Sequence, residues 1–250
     1  MRWVSDENDQ HPEWLQQYVA YLADHCKDFL DIEKLNHWTS NHTIEANIPI
    51  GYGLGSSGAL TAAIFDLFAR NKEGQNDVTE RLGLMESFFH GQSSGFDPLI
   101  SYLDRPILKK KNGALIELER TPSFTMDCYL LDSGSPREGK STITEFIKRA
   151  QANKTTFNKI IELNNQLIGS FIHEDKLKFK ETLIKVSQFQ FEHMDFMIPD
   201  HLKEHWQSGI ENGESIYKIC GAGGGGYFFL FSDTEVQATR DSKLERVILN

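Results

Sequence analysis

Apolar residues recur at helical spacing over several long stretches of the chain and form short unbroken runs elsewhere. Trp14, Tyr18, Leu22 and Phe29 lie on a roughly helical period between Pro12 and Trp38, interrupted near residues 25–27. Residues 1–11 are polar and read as loop. Residues 42–50 predict a strand, which runs into a glycine- and serine-rich turn. Helix is expected from Ser57 to Ala69 and, after a polar break at 71–77, from Val78 to about His90. A second glycine loop, 91–95, is followed by three strand-like pieces: Leu99 to Leu103, Pro106 to Lys109 and Ala114 to Leu118. Asn112-Gly113 supplies the turn between the last two. Phe124 to Leu131 reads as another strand. From Ser141 to about His205 the pattern is helical, with breaks near Asn153, 169–175 and Pro199, and Tyr227 to Phe231 reads as a buried strand. No repeat or low-complexity linker is present, and a seam near 120–124 is the expected domain boundary.

A chain of 250 residues can bury one large core or two modest ones. The formal charge of −10 argues against a general nucleic-acid partner and against an anionic membrane surface. It leaves room for local phosphate binding through backbone N–H groups, one or two cations and Mg²⁺. Cys26, Cys128 and Cys220 are widely spaced, which fits reduced thiols and no structural zinc. No stretch reaches membrane-spanning length and the start lacks the apolar core of a signal peptide, so a cytoplasmic location is expected.

Three loops carry candidate chemistry. The first, Gly51-Tyr-Gly-Leu-Gly-Ser-Ser-Gly58, feeds a helix. Glycines admit close approach to the main chain, serines at a helix start can cap its free N–H groups, and that end attracts phosphate. The bland alternative is a Gly/Ser turn closed by a serine cap. The second runs from Glu86 to Asp97, Glu-Ser-Phe-Phe-His-Gly-Gln-Ser-Ser-Gly-Phe-Asp. It places one carboxylate on a helix and another in a tight loop before Pro98. Mg²⁺ bound with a nucleotide wants one or two protein oxygens, and a nearby carboxylate can deprotonate a hydroxyl. The third is Gly221-Ala222-Gly223-Gly224-Gly225-Gly226, where ordering so many glycines costs enough entropy that close backbone approach is the expected reason.

Together these stretches resemble the GHMP kinases, the small-molecule kinases that include galactokinase, homoserine kinase, mevalonate kinase and phosphomevalonate kinase. Pro49-Ile-Gly-Tyr-Gly-Leu-Gly-Ser-Ser57 is similar to their phosphate loop. Glu86 to Asp97 looks like the mevalonate-kinase-like Glu-x-x-x-His-Gly-x-x-Ser-Gly-x-Asp, and Lys218 to Gly226 looks like their C-terminal glycine loop. The resemblance implies an α+β fold in two domains: residues 1–122, of the family's N-terminal type and lacking its opening strands, and residues 123–250, ferredoxin-like. It implies ATP and Mg²⁺, with Gly53, Leu54, Gly55, Ser56, Ser57 and Gly58 around the β- and γ-phosphates. Ser57 and Glu86 would hold the metal, and Asp97 would act on the hydroxyl of a small, anionic acceptor. Gly221, Ala222, Gly223, Gly224 and Gly225 would shape the wall near that acceptor. Asp132-Ser133-Gly134, with Arg137 and Thr142, resembles the loop at its anionic end. Three departures stand out: Gly58 for the usual Ala, Pro98 for the usual Asn, and no early Pro-Gly-Lys-like segment with its lysine. The last keeps open a second reading, a catalytically silent binding module.

Two further motifs compete. Gly134-Ser-Pro-Arg-Glu-Gly-Lys-Ser141 has the Walker spacing of a P-loop NTPase, which requires parallel strands alternating with helices. His201-Leu-Lys-Glu204-His205 has a zinc-like spacing, but no distant third ligand stands out and a solvated helix face is the better account of it. Phe88-Phe89, Phe189, Phe191 and Tyr227-Phe-Phe229 are expected core.

Overall fold

The computed structural model describes residues 2–5, 12–46, 51–123, 126–137, 139–236 and 244–247. The chain divides into two units, one of residues 1–50 with 55–120 and one of residues 51–54 with 121–250. Pro49, the second half of the expected strand at 42–50, Phe124 and Glu138 lie outside the described residues.

Unit 1 is built around a helix that is apolar on nearly every side. Helix α3 (Ser56–Phe68) buries Gly58, Leu60, Thr61, Ala62, Ile64, Phe65 and Phe68, as expected of a helix enclosed by its neighbours. Against it pack α1 (Glu13–His25), α2 (Ile32–Thr39), α4 (Gln75–His90) and α5 (Phe96–Leu103), through Tyr18, Leu22, Leu35, Leu82, Met85 and Leu99. Asp31 starts α2 by accepting from the Lys34 N–H at 3.1 Å. Two antiparallel pairs complete the unit: β1 (Arg2–Ser5) with β2 (His42–Glu45), and β3 (Ile107–Lys109) with β4 (Leu115–Glu117).

Two expectations change here. The polar start is not all loop, since Arg2–Ser5 pairs with β2. The run from Leu99 to Leu103 is helical rather than extended. A short apolar run does not distinguish a strand from a buried helix. Here Gly95, left-handed at φ +69°, starts a turn in which Pro98 suits the first helical positions. Asp97 therefore sits on a helix, not in a loop.

Unit 2 holds a four-stranded sheet of β5 (Asp127–Asp132), β6 (Ser215–Ile219), β7 (Tyr227–Ser232) and β8 (Leu244–Val247). Its order is β6-β7-β5-β8, and all neighbours are antiparallel. Between β5 and β6 run α6 (Gly139–Ala152), α7 (Lys154–Ile172), α8 (Lys176–His193), a 3-10 turn at Asp195–Met197 and α9 (Asp200–Asn212). Asn153 and Asp175 cap α7 and α8, and the expected break at 169–175 narrows to a turn at Glu174 (φ +55°). The core joins Leu183 and Val186 of α8 and Trp206 of α9 to Ile216 and Phe228 of the sheet. The Trp206 ring stacks on Tyr217 at 5.5 Å and meets Phe228 edge-on at 6.0 Å. The strand β7 inserted between β5 and β6 makes a split β–α–β arrangement, the element that a ferredoxin-like domain contains twice. The second crossover of that pattern falls largely in 237–243, outside the described residues.

Candidate active site

The chemistry of unit 1 gathers at the start of α3. Gly55 stands before the helix in a left-handed conformation (φ +69°), and no side chain caps it. The serine-cap expectation therefore fails. The first-turn N–H groups keep no intrahelical acceptor and face outward at the positive end of the helix dipole.

Ser57 turns its hydroxyl elsewhere. Its Oγ donates to Glu86 Oε1 at 3.4 Å and lies 3.1 Å from His90 Nε2, both side chains belonging to α4. Glu86 is only 4% exposed. Its other oxygen accepts from the Ser93 hydroxyl, and no basic side chain pairs with it among the described residues. A buried carboxylate contacted only by hydroxyls has no counter-charge, an arrangement that costs stability unless a cation joins it.

The donor set fits magnesium. A hydroxyl and a carboxylate are hard oxygen ligands, and Mg²⁺ takes one or two of these beside phosphate and water. Adjacent ligands of an octahedron with metal–oxygen distances of about 2.1 Å stand about 3 Å apart, close to the 3.4 Å between Ser57 Oγ and Glu86 Oε1. No group of three or more His, Cys, Asp or Glu able to hold a metal occurs among the described residues. A site completed by phosphate and water needs none.

Asp97 occupies the first turn of α5, exposed, and the backbone around it touches the first turn of α3. A Cβ at Gly58 would stand 3.1 Å from the Asp97 carbonyl carbon and from the Pro98 nitrogen, and 3.3 Å from Asp97 Cβ. Ser57, Gly58, Glu86 and Asp97, far apart in sequence, therefore meet around one helix terminus.

Unit 2 brings the other glycine loops together. Residues 51–54 form a strap. The Tyr52 carbonyl accepts from the Tyr227 N–H at 3.1 Å, and the Gly51 carbonyl accepts from the Arg137 N–H at 3.2 Å. A Cβ at Gly226 would lie 2.5 Å from the Tyr52 oxygen, and one at Gly225 the same distance from the Pro136 oxygen. Close backbone approach thus accounts for this end of the run. The Gly224 N–H donates to the Met197 carbonyl at 2.7 Å, and Gln190 of α8 accepts from the Ile219 N–H at 2.9 Å, fixing the end of β6. Gly221 and Ala222 form the turn after β6, less buried than Gly223 and Gly225.

The Arg137 guanidinium reaches both straps, its Nη1 standing 3.5 Å from where a Cβ would lie on Gly53 and 3.0 Å from the equivalent point on Gly221. No ion pair to it forms among the described residues. Lys218 is held differently: burial pushes its ammonium below the ordinary lysine range, against the opposing pull of the Cys220 and Cys128 thiols. It donates to the Ile219 carbonyl at 3.3 Å and lies 5.6 Å from the centre of the Phe229 ring.

The competing motifs lose their context. Every strand pair of unit 2 is antiparallel, so the Walker-like spelling lacks the parallel sheet that a P-loop needs. Gly134 instead closes a turn on Asp132, its N–H donating to Asp132 Oδ1 at 2.8 Å. His201, Glu204 and His205 face solvent on α9 while Leu202 and Trp206 face the core. Neither Ser93 nor the contact of His90 with Ser57 stands out in the sequence. The one available signal for Ser93 was a hydroxyl in the loop directly after the Glu86 helix.

Residues 17–105, a span holding Ser57, Glu86 and Asp97, match the family of the GHMP kinases N terminal domain. Over that span the chain is similar to the GHMP kinases. Mevalonate kinase of Thermococcus gammatolerans is 28% identical over 199 residues, and mevalonate kinase of Pyrococcus horikoshii is 26% identical over 202. Each alignment covers 75% of this chain and 58% of the relative, so the chain spans less than two thirds of the curated relatives it matches. Among solved structures, the mevalonate kinase from methicillin-resistant Staphylococcus aureus MRSA252 superposes with a TM-score of 0.51 at 19% identity, covering 93% of this chain and 72% of its own. The Lin0012 protein of Listeria innocua superposes with a TM-score of 0.56 at 16% identity, covering 93% and 75%. The mixed α and β fold is that of these structures. No helix among the described residues is long and apolar enough to cross a membrane.

Proposed function

We propose that the protein is an ATP- and Mg²⁺-dependent small-molecule kinase, mevalonate-kinase-like, that moves the γ-phosphoryl group to an alcohol or phosphate oxygen of an anionic acceptor. The observation that carries this reading is the meeting of an uncapped helix terminus, the Ser57–Glu86 oxygen pair and Asp97 around the first turn of α3.

The outward N–H groups at Gly55–Gly58 hold phosphate oxygens, and Ser57 and Glu86 hold the magnesium ion, which when bound neutralises charge on the phosphates. Asp97 takes the proton of the acceptor hydroxyl as its oxygen bonds to the γ-phosphorus and the bond to the bridging oxygen breaks, ADP leaving. Transfer of this kind asks the protein chiefly for position and charge. In unit 2, Gly53, Leu54, Gly221 and Ala222 offer backbone, and Arg137 a cation, to an anionic ligand group, while Gly223 and Gly225 are buried and the Gly224 N–H is taken by Met197.

Asp97→Asn tests the reading. It is expected to abolish transfer to acceptors that the parent phosphorylates while MgATP affinity stays within about twofold. Turnover equal to the parent's overturns the role of Asp97. A parent that binds MgATP and phosphorylates no small alcohol supports the silent binding module instead.

A further inference from the structure

We infer that Ser93 is the positioning residue that aims Glu86 at the metal, an inference that rests on the proposed magnesium role of Glu86. The Ser93 hydroxyl oxygen accepts from the Gly95 N–H at 3.0 Å, and its one proton goes to Glu86 Oε2. An ionised carboxylate only accepts, so the single Ser93 proton goes to Oε2, while the Gly95 N–H occupies a lone pair of the same oxygen and fixes where the hydroxyl stands. With Oε2 held, Oε1 is left toward Ser57.

The loop that carries Ser93 is itself anchored to α4. The Ser93 N–H donates to Ser87 Oγ at 3.2 Å, and Ser87 in turn donates to the Gly83 carbonyl at 2.7 Å. Gly83 and Gly95 pack with no room for a side chain. A Cβ on Gly83 would lie 3.1 Å from the Ser93 carbonyl oxygen, and one on Gly95 would collide with the Thr79 carbonyl. The chain of contacts runs from the helix backbone through two serines to the buried carboxylate. Each serine ties a different group, Ser87 the loop and Ser93 the Glu86 side chain. Groups that orient a metal ligand in this way commonly contribute 10- to 100-fold to metal affinity.

The test is an equilibrium titration with MnADP, read by water-proton relaxation, beside a titration with ADP in the presence of a chelator. Parent, Ser93→Ala and Ser93→Thr are compared. The expected result is an MnADP affinity about tenfold or more weaker in Ser93→Ala, unchanged affinity for metal-free ADP, and recovery of most of the loss in Ser93→Thr. A Ser93→Ala protein that binds MnADP as tightly as a binding-competent parent overturns the inference and leaves the nucleotide reading intact. Equal weakening toward metal-free ADP also overturns it, since a collapsed loop rather than a misaimed carboxylate gives that result. A parent that binds no MnADP overturns the nucleotide reading itself.

Discussion

Gly58 and Pro98 meet backbone to backbone: a single added carbon at Gly58 would stand 3.1 Å from the Pro98 nitrogen. These are the two positions at which the chain departs from the GHMP spelling inside its phosphate and acid motifs, and they form one contact. The first turn of α5 has little freedom to retreat, because Gly95 behind it is seated on the backbone of Thr79 and Gly83. Gly58→Ala is therefore expected to lower stability by about 1–3 kcal/mol, the usual range for overpacking, despite the better helix propensity of alanine. Urea unfolding gives the magnitude. In the proposed reaction the same variant loses turnover with little change in the KM for ATP, since the displaced group is Asp97.

Arg137 is the cation shared by the two glycine straps of unit 2. Arg137→Met keeps an unbranched stem and removes the guanidinium with its charge. It is expected to raise the KM for an anionic acceptor about tenfold or more, in line with the loss of a charge-assisted contact. The thermal midpoint should stay within a degree or two, because no ion pair to Arg137 is lost among the described residues. An unchanged KM together with a lowered midpoint assigns Arg137 to the architecture instead.

Two thiols make the fold sensitive to alkali. Burial pushes Cys26 and Cys128 up to about 12, from an ordinary value of 9.0. Well below pH 9 both thiols are protonated whether the chain is folded or not, and their contribution to stability is complete. As pH rises from 9 toward 12 the unfolded chain releases protons that the folded chain retains. Stability then falls, by up to about 1.4 kcal/mol per pH unit for each thiol. Urea midpoints measured from pH 8 to 11 should show this decline, and Cys26→Ala should make it shallower. A slope unchanged by that substitution removes Cys26 from the account.

What could be read from the letters follows from where each signal is stored. Tyr18 and Leu22 on one side of α1, and the caps at Asp31, Asn153 and Asp175, are local, and the helices that they mark lie close to where periodicity put them. The gathering of Ser57, Glu86 and Asp97 at one helix terminus was legible from motifs whose residue types and spacing suit a common site. Leu99–Leu103 misled, since five apolar residues suit either state and the deciding facts, Gly95 and the contact with Gly58, are tertiary. Arg2–Ser5 becomes a strand only through its partner at His42–Glu45. Ser57 looked like a cap; a carboxylate 29 residues downstream in the chain claims its hydroxyl.

The strap at 51–54 bears on how the polypeptide can be cut. A fragment beginning at residue 121 keeps all four strands of the antiparallel sheet but loses the carbonyls that receive the N–H groups of Arg137 and Tyr227. Tyr227 begins a central strand, so one of the two orphaned donors lies where solvent reaches poorly. The second unit is in this sense discontinuous, four of its residues arriving from a remote part of the gene. Supplying a peptide that contains those four is the natural way to restore the excised half.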